Sequence, residues 1–210
     1  MIEIKNLSHF YEDKKIIDIK EWKVNTAEQW ILIGNSGSGK TTLLHILAGL
    51  LKPSDKNAQI YIQKQDIQAL SGTQLDTFRA KNIGLIFQKA HLIPTLNVIQ
   101  NLLLVYFLAG VKQNKTHCQE ILAQVNLTGF EKYYPEQLSV GQAHRVAIAR
   151  ALLLEPTIIL ADEPSAGLDD ENTTQILNLL KEQTQKYKAC LLIATHDARV
   201  KQHFDKILHL

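Results

Sequence analysis

Cysteine, proline and methionine are all scarce in this chain of 210 residues, which has two, five and one of them. Cys118 and Cys190 stand far apart and fit neither a C-x-x-C pattern nor a metal-ligand spacing. That excludes a disulfide framework and leaves reduced, structural thiols as the reading. The eight histidines are scattered, with no second ligand at short metal-site spacing. The longest nearly unbroken apolar run, Leu102 to Val111, is about half of the ~20 residues that a membrane span needs, so the chain is not expected to cross a bilayer by itself. Met1-Ile2-Glu3-Ile4-Lys5 alternates like a strand and has no apolar centre of the signal-peptide kind, so a cytoplasmic setting is expected. A net charge of +2 argues against a dedicated polyanion surface, and nucleic acid is not an expected partner.

What is present describes an ordinary globular protein, 45% hydrophobic and 21% charged, without repeats or low-complexity segments. Strands are expected at Ile2–Leu7, Ile16–Val24, Trp30–Ile33, Gln59–Gln63, Ile83–Phe87, Thr157–Ala161 and Cys190–Ala194. A helix should follow Lys40 as far as Leu51, and others should run over Ser71–Ala80, Ser139–Ala151 and Asn172–Lys186. Between Gln88 and Pro135 the strand signal vanishes and apolar residues recur at helical spacing through Asn97–Leu108 and Thr116–Val125. The expected fold is α/β, a mainly parallel sheet with N-terminal antiparallel strands. Residues 1–210 form a single domain in which 1–87 and 136–210 make the core and 88–135 an inserted helical lobe.

Gly34 to Thr42 reads G-N-S-G-S-G-K-T-T between an apolar strand and a helical pattern, the setting of a phosphate-binding P-loop. Gly34, Gly37 and Gly39 let the N–H groups of Asn35, Ser36, Ser38 and their neighbours converge on phosphates. The following helix N-terminus adds partial positive charge at Thr42. Lys40 is placed to reach the β- and γ-phosphates, and Thr41 offers a hydroxyl to Mg²⁺.

Asp162 and Glu163 end the apolar strand Thr157–Ala161. A carboxylate there supplies a hard oxygen ligand for Mg²⁺, and its neighbour can act as a general base toward water. Leu138-Ser139-Val140-Gly141-Gln142 opens a helix, and Ser139 reads equally as an N-cap or as part of a second anion site that another molecule's phosphate would fill. Tyr11 reads either as a half-buried strand-end residue or as a surface on which a base stacks.

Together these residues resemble the nucleotide-binding domains of ABC (ATP-binding cassette) ATPases, over nearly the whole chain and in the family's order. The glycine loop resembles Walker A, Gln88 the Q-loop glutamine, L-S-V-G-Q the signature motif and I-I-L-A-D-E-P Walker B. Ser165-Ala166-Gly167-Leu168-Asp169 is similar to the D-loop, and His196 to the H-loop histidine. The resemblance implies ATP and Mg²⁺ as ligands, with Thr41, Asp162 and Gln88 toward the metal. Lys40, Gln88, Glu163 and His196 would be catalytic, and Tyr11 the aromatic beneath adenine. It also implies a second copy of the chain whose Ser139, Gly141, Gln142 and Asp169 complete the nucleotide site, and an integral membrane permease subunit, with this chain peripheral on the inner face of the cell membrane. The branch resembled is that of lipoprotein-release, macrolide-export and cell-division ATPases. A regulator of a cell-wall or division complex, or an ATP-sensing module, is the alternative. Val140 departs from the family's usual Gly, and Gln100 from a common Glu.

Overall fold

Strands of alternating apolar side chains within the first 66 residues build a four-stranded antiparallel sheet, and the more continuously apolar strands, β3 (Gln29–Ile33) among them, build a five-stranded parallel one. The computed structural model describes residues 1–210, except for the side chain of Ala198. The antiparallel sheet contains β1 (Ile2–Tyr11), β2 (Lys14–Val24), β4 (Gln59–Ile62) and β5 (Gln65–Asp66), in the order β2-β1-β4-β5. The parallel sheet has the order β6-β7-β8-β3-β9, with β3 (Gln29–Ile33), β6 (Ile83–Ile86), β7 (Ile158–Asp162), β8 (Cys190–Ala194) and β9 (Lys206–His209). The last of these, β9, pairs in parallel with β3 and was not expected from the residue pattern.

Both faces of the parallel sheet are covered, and the period of two decides which residue goes where. Ile31, Ile159, Ala161, Leu191 and Ile193 join one apolar cluster, while Leu32, Ile158, Leu160, Cys190 and Leu192 join the other. The second cluster is closed by α1 (Lys40–Leu47) and by Ile2, Ile4, Ile60 and Ile62 of the antiparallel sheet. The first is closed by α3 (Val98–Leu108), α4 (Lys115–Gln124), α5 (Val140–Leu152) and α6 (Asp170–Lys186). Segment 88–135 therefore contains helices and no strand, and its buried Val98, Leu102, Ile121 and Leu122 share a core with β7 and β8.

Two expected helix ends move. The helix after the glycine loop ends at Leu47, short of Leu51, because Gly49 adopts φ 65° and turns the chain. Leu50 N–H then reaches back to His45 O at 2.8 Å, a glycine-dependent C-terminal cap. The helix expected at Ser71–Ala80 is α2 (Thr73–Asn82), running directly into β6. A short last helix, α7 (Ala198–Lys201), follows β8.

Candidate active site

Strands β3, β6, β7 and β8 run parallel, so the residues that follow them arrive at one edge of the sheet, where ligands of such sheets bind. A cavity of about 690 Å³ at that edge is lined by residues 34–37 and 39–42 of the glycine loop, by Tyr11 and Ile16, and by Gln88, Glu163 and His196. A larger cavity of about 820 Å³, around Lys23, Lys64 and Lys188, lies at the opposite, amino ends of the strands and holds no motif residue.

Local chemistry explains the loop. Gly37 and Gly39 take φ 77° and 100°, a region that side chains resist. A Cβ on Gly39 would stand 2.7 Å from Ile16 Cγ2 and 3.0 Å from Ile16 O. Ile16 is pushed there by an irregularity in the β1–β2 ladder, where pairing shifts from His9↔Ile17 to Phe10↔Lys15 and leaves Ile16 unopposed. Lys40 is buried and donates to Gly34 O at 2.8 Å and Asn35 O at 3.0 Å. Its ammonium thus spans the loop from within.

Thr41 Oγ1 donates to Asp162 Oδ2 at 2.8 Å, joining the loop to the end of β7. Burial raises the Asp162 carboxyl above the ordinary Asp value, and the Thr41 hydrogen bond and Lys40 pull the other way. Asp162 Oδ1 and Ser38 Oγ are buried without a hydrogen-bond partner. Unpartnered buried oxygens beside a lysine and a threonine hydroxyl suit a hard cation and its phosphate ligands. Among the described residues no cluster of three His, Cys, Asp or Glu side chains is placed to hold a metal. The donor set is therefore one carboxylate and one hydroxyl, which fits Mg²⁺, an ion that keeps several waters and takes phosphate oxygens.

Glu163 stands at φ 48°, strained for a non-glycine residue. The turn swings its carboxylate off the line of β7 and onto the end of β8. Oε2 accepts from Thr195 Oγ1 at 2.7 Å, and Oε1 accepts from His196 N–H at 3.1 Å and lies 2.6 Å from His196 Nδ1. Residue-pattern reasoning did not single out Thr195. It is fully buried, and its hydroxyl also accepts from Asp197 N–H at 3.0 Å. The only signal in the sequence is a hydroxyl between an apolar strand and His196.

The other expected residues lie apart from this cavity. Ser139 caps α5 in a reciprocal box: its Oγ accepts from Gln142 N–H at 3.2 Å, and Gln142 Oε1 accepts from Ser139 N–H at 2.9 Å. The Gln142 side chain is thereby committed to the cap. Ser139 and Val140 face a separate cavity of about 510 Å³ with Gln88, Ala166 and Gly167, so Gln88 borders both spaces. Asp169 caps α6, accepting from Asn172 N–H at 2.7 Å, and lines neither cavity. That hydrogen bond and those of the Asn172 side chain hold its carboxyl below the usual range.

The family model for ABC transporters matches residues 17–166. The chain belongs to the ABC transporter ATP-binding family. It is 35% identical, over its full length and 94% of the relative, to the lipoprotein-releasing system ATP-binding protein LolD of Syntrophotalea carbinolica. It is 39% identical over 90% of its length and 85% of the relative to a putative hemin import ATP-binding protein, HrtA, of Staphylococcus haemolyticus. Among solved structures, the dimeric post-hydrolysis state of the ATP-binding cassette MJ0796 bound to ADP and Pi superposes with a TM-score of 0.89. It is 32% identical, covering the whole of this chain and 94% of that one. The cassette fold expected from the sequence is the one observed.

Proposed function

We propose that this cassette hydrolyses ATP as one of two copies closed head to tail, and that closure drives a separate integral membrane subunit of the export or lipoprotein-release kind. The observation that carries this reading is that Lys40, Thr41 and Glu163 line one cavity at the glycine loop, with Asp162 bonded to Thr41 behind it. Lys40 exchanges its two carbonyl partners for phosphate oxygens, and the loop N–H groups hold the rest of the charge. Thr41, Asp162 and Gln88 would hold Mg²⁺, and the cation would neutralise part of the charge that develops as the terminal phosphate leaves. Glu163 takes the proton of the attacking water, and His196, on the same carboxylate, is at hand for the terminal phosphate. Tyr11, 52% exposed at the rim, offers its ring to adenine. Ser139 and Gly141 of the second copy cover the triphosphate from the other side. The dimeric ADP-bound cassette to which the chain is similar supports this arrangement.

A groove of about 700 Å³ between α2 and α3, lined by Arg79, Phe87, His91, Leu104, Leu108 and Arg150, suits a loop of the membrane subunit. Among the described residues no helix is long and apolar enough to cross a membrane. The exposed Phe107 and Leu108 extend the groove's apolar rim.

Glu163→Gln tests the reading. It should lower the rate of phosphate release by roughly 10²–10⁴-fold while leaving the dissociation constant for ATP within about threefold, because only the proton acceptor is lost. Turnover equal to that of the wild-type chain would remove Glu163 from its role.

A further inference from the structure

We infer that His9 is a positioning residue that braces the Tyr11 ring for the adenine base, setting nucleotide affinity without entering the phosphate chemistry. The inference rests on the reading of Tyr11 given above.

Tyr11 ends β1, and a half-exposed tyrosine at a strand end has rotamers to lose when a ligand lands on it. His9 precedes it by two residues, on the same face of the strand. The two rings meet edge to face, with centroids 5.1 Å apart and planes at 86°. Tyr11 thus rests one side of its ring against a neighbour that cannot easily move. His9 is 5% exposed, and its Nδ1 shares a hydrogen with Ser54 Oγ at 3.1 Å.

Ser54 fixes more than the imidazole. Its Oγ accepts from Phe10 N–H at 3.1 Å, and the next residue, Asp55, donates its N–H to Ser8 O at 3.2 Å. With a longer contact from Ser54 Oγ to Phe10 O at 3.4 Å, four contacts from one short segment clamp residues 8–10. That segment lies between α1 and β4, so the end of β1 is held from the exit of the helix that the glycine loop begins. The base platform and the phosphate loop are in this way referred to one frame.

The imidazole is an expensive choice for packing alone. His9 Nε2 is buried and has no hydrogen-bond partner, whereas an aliphatic residue would fill the space without stranding a polar atom. What the imidazole supplies and an aliphatic residue lacks is the pair of contacts described: a flat edge for Tyr11 and an acceptor or donor for Ser54. No other observed contact of His9 needs either property.

The test measures the affinity of the full-length chain for ATP and for inorganic tripolyphosphate, which has no base, together with steady-state kcat and KM. His9→Ala should raise the dissociation constant for ATP about two- to tenfold, the worth of one aromatic pair. Tripolyphosphate affinity and kcat should stay as they are. His9→Phe, which restores an edge, should recover most of the loss. Ser54→Ala, which loosens the imidazole but leaves it in place, should move ATP affinity in the same direction by less. In a Tyr11→Ala background, His9→Ala should have no further effect. Equal loss of ATP and tripolyphosphate affinity in His9→Ala, or an undiminished effect in the Tyr11→Ala background, would overturn the inference. So would a His9→Ala chain with wild-type affinity for ATP. If Tyr11→Ala itself leaves ATP affinity unchanged, the adenine reading of Tyr11 fails first and the role of His9 falls with it. A Tyr11 effect without a His9 effect refutes the brace alone.

Discussion

The two halves of the site are made on opposite terms. Around the glycine loop every element is supplied by the chain itself: Ile16 presses on Gly39, Lys40 is bound to loop carbonyls, and Thr41 is bound to Asp162. At the start of α5 the chain closes its own hydrogen bonds through the Ser139–Gln142 box and then stops. Val140 is 58% exposed beside it, and a Cβ on Gly141 would meet nothing closer than Asn172 Oδ1 at 3.5 Å. The packing of its own chain thus does not require a glycine at 141, which leaves the position open to the second copy of the proposed dimer. The P-loop glycines are needed for folding and for binding at once, whereas Gly141 is free to be needed for binding alone.

The largest expected effect follows from that contrast. Gly141→Asp adds a side chain whose Cβ meets Asn172 and Leu168 only at ordinary contact distances of 3.5 to 3.9 Å, so the thermal midpoint of the isolated chain should move little, by about 1 kcal/mol of stability or less. ATP-dependent dimerisation should nevertheless fail, because the new carboxylate would face the partner's triphosphate, and turnover should drop about 10²-fold or more. Size-exclusion chromatography of a Glu163→Gln background with ATP, alongside phosphate release, reads both. A Gly141→Asp chain that dimerises normally would place the missing partner surface elsewhere.

Gly39→Ala should show the opposite signature. The position has φ 100° and its new methyl would collide with Ile16, so stability should fall by about 1–3 kcal/mol and monomeric ATP affinity with it. Differential scanning calorimetry and nucleotide titration on the monomer suffice. If the loss appeared only in the dimer, the glycine loop would not be the self-contained half described here.

The self-contained half was also the legible half. Walker A and Walker B announce themselves because a glycine spacing after a strand and an acid ending a strand each carry a mechanism that needs no other part of the chain. The seven expected strands are all present: those of the antiparallel sheet show in alternation, and those of the parallel sheet in apolar stretches such as Ile158-Ile159-Leu160-Ala161, buried on both faces. What escaped is where tertiary context decides. β9 pairs along β3 through Lys206–His209 with Ile207 and Leu208 only partly buried, too short and too wet to stand out. Thr195 and His9 act by touching Glu163 and Tyr11, and a contact between side chains leaves no periodicity. Ser139 remained ambiguous between cap and ligand because it is visibly a cap, and its other role needs a second chain.

Arg150 bears on how the halves communicate. It lies far along α5 from Ser139 and donates to Ala90 O at 2.8 Å and His91 O at 2.7 Å, the loop just after Gln88, which borders both cavities. Burial lowers the pKa of its guanidinium, and among the described residues it forms no ion pair. Arg150→Gln should cost about 1–3 kcal/mol in stability by stranding two carbonyls. It should also lower kcat more than it raises KM, because the loss falls on the loop of Gln88 and not on the ATP-binding cradle. Equal changes in both parameters would make Arg150 a purely structural residue.

The smallest effect isolates stability from the site. Glu28 precedes β3 and bonds Lys206 of β9, Asn25 and Trp30, tying the edge strand to the loop's own strand. Its side chain is 15% exposed. Burial alone would raise its carboxyl, but the bonds from Lys206, Asn25 and Trp30 together outweigh that and hold it at about 2, against an ordinary 4.5. A depressed carboxyl contributes stability that is present above its unfolded value and is lost as pH falls through the folded one. The wild-type chain should therefore exceed Glu28→Gln by about 1–2 kcal/mol at neutral pH, the exposed Lys206 end being screened by solvent. The difference should shrink between pH 5 and pH 2 as the wild-type carboxylate takes up its proton, which denaturant titrations at several pH values follow directly. ATP affinity should be the same in both chains throughout the range where both are folded. A Glu28→Gln chain that lost affinity in step with stability would mean that β9 reaches the glycine loop through β3, where Leu210 N–H already bonds Ile33 O at 2.9 Å, and that the self-contained half extends to the far edge of the sheet.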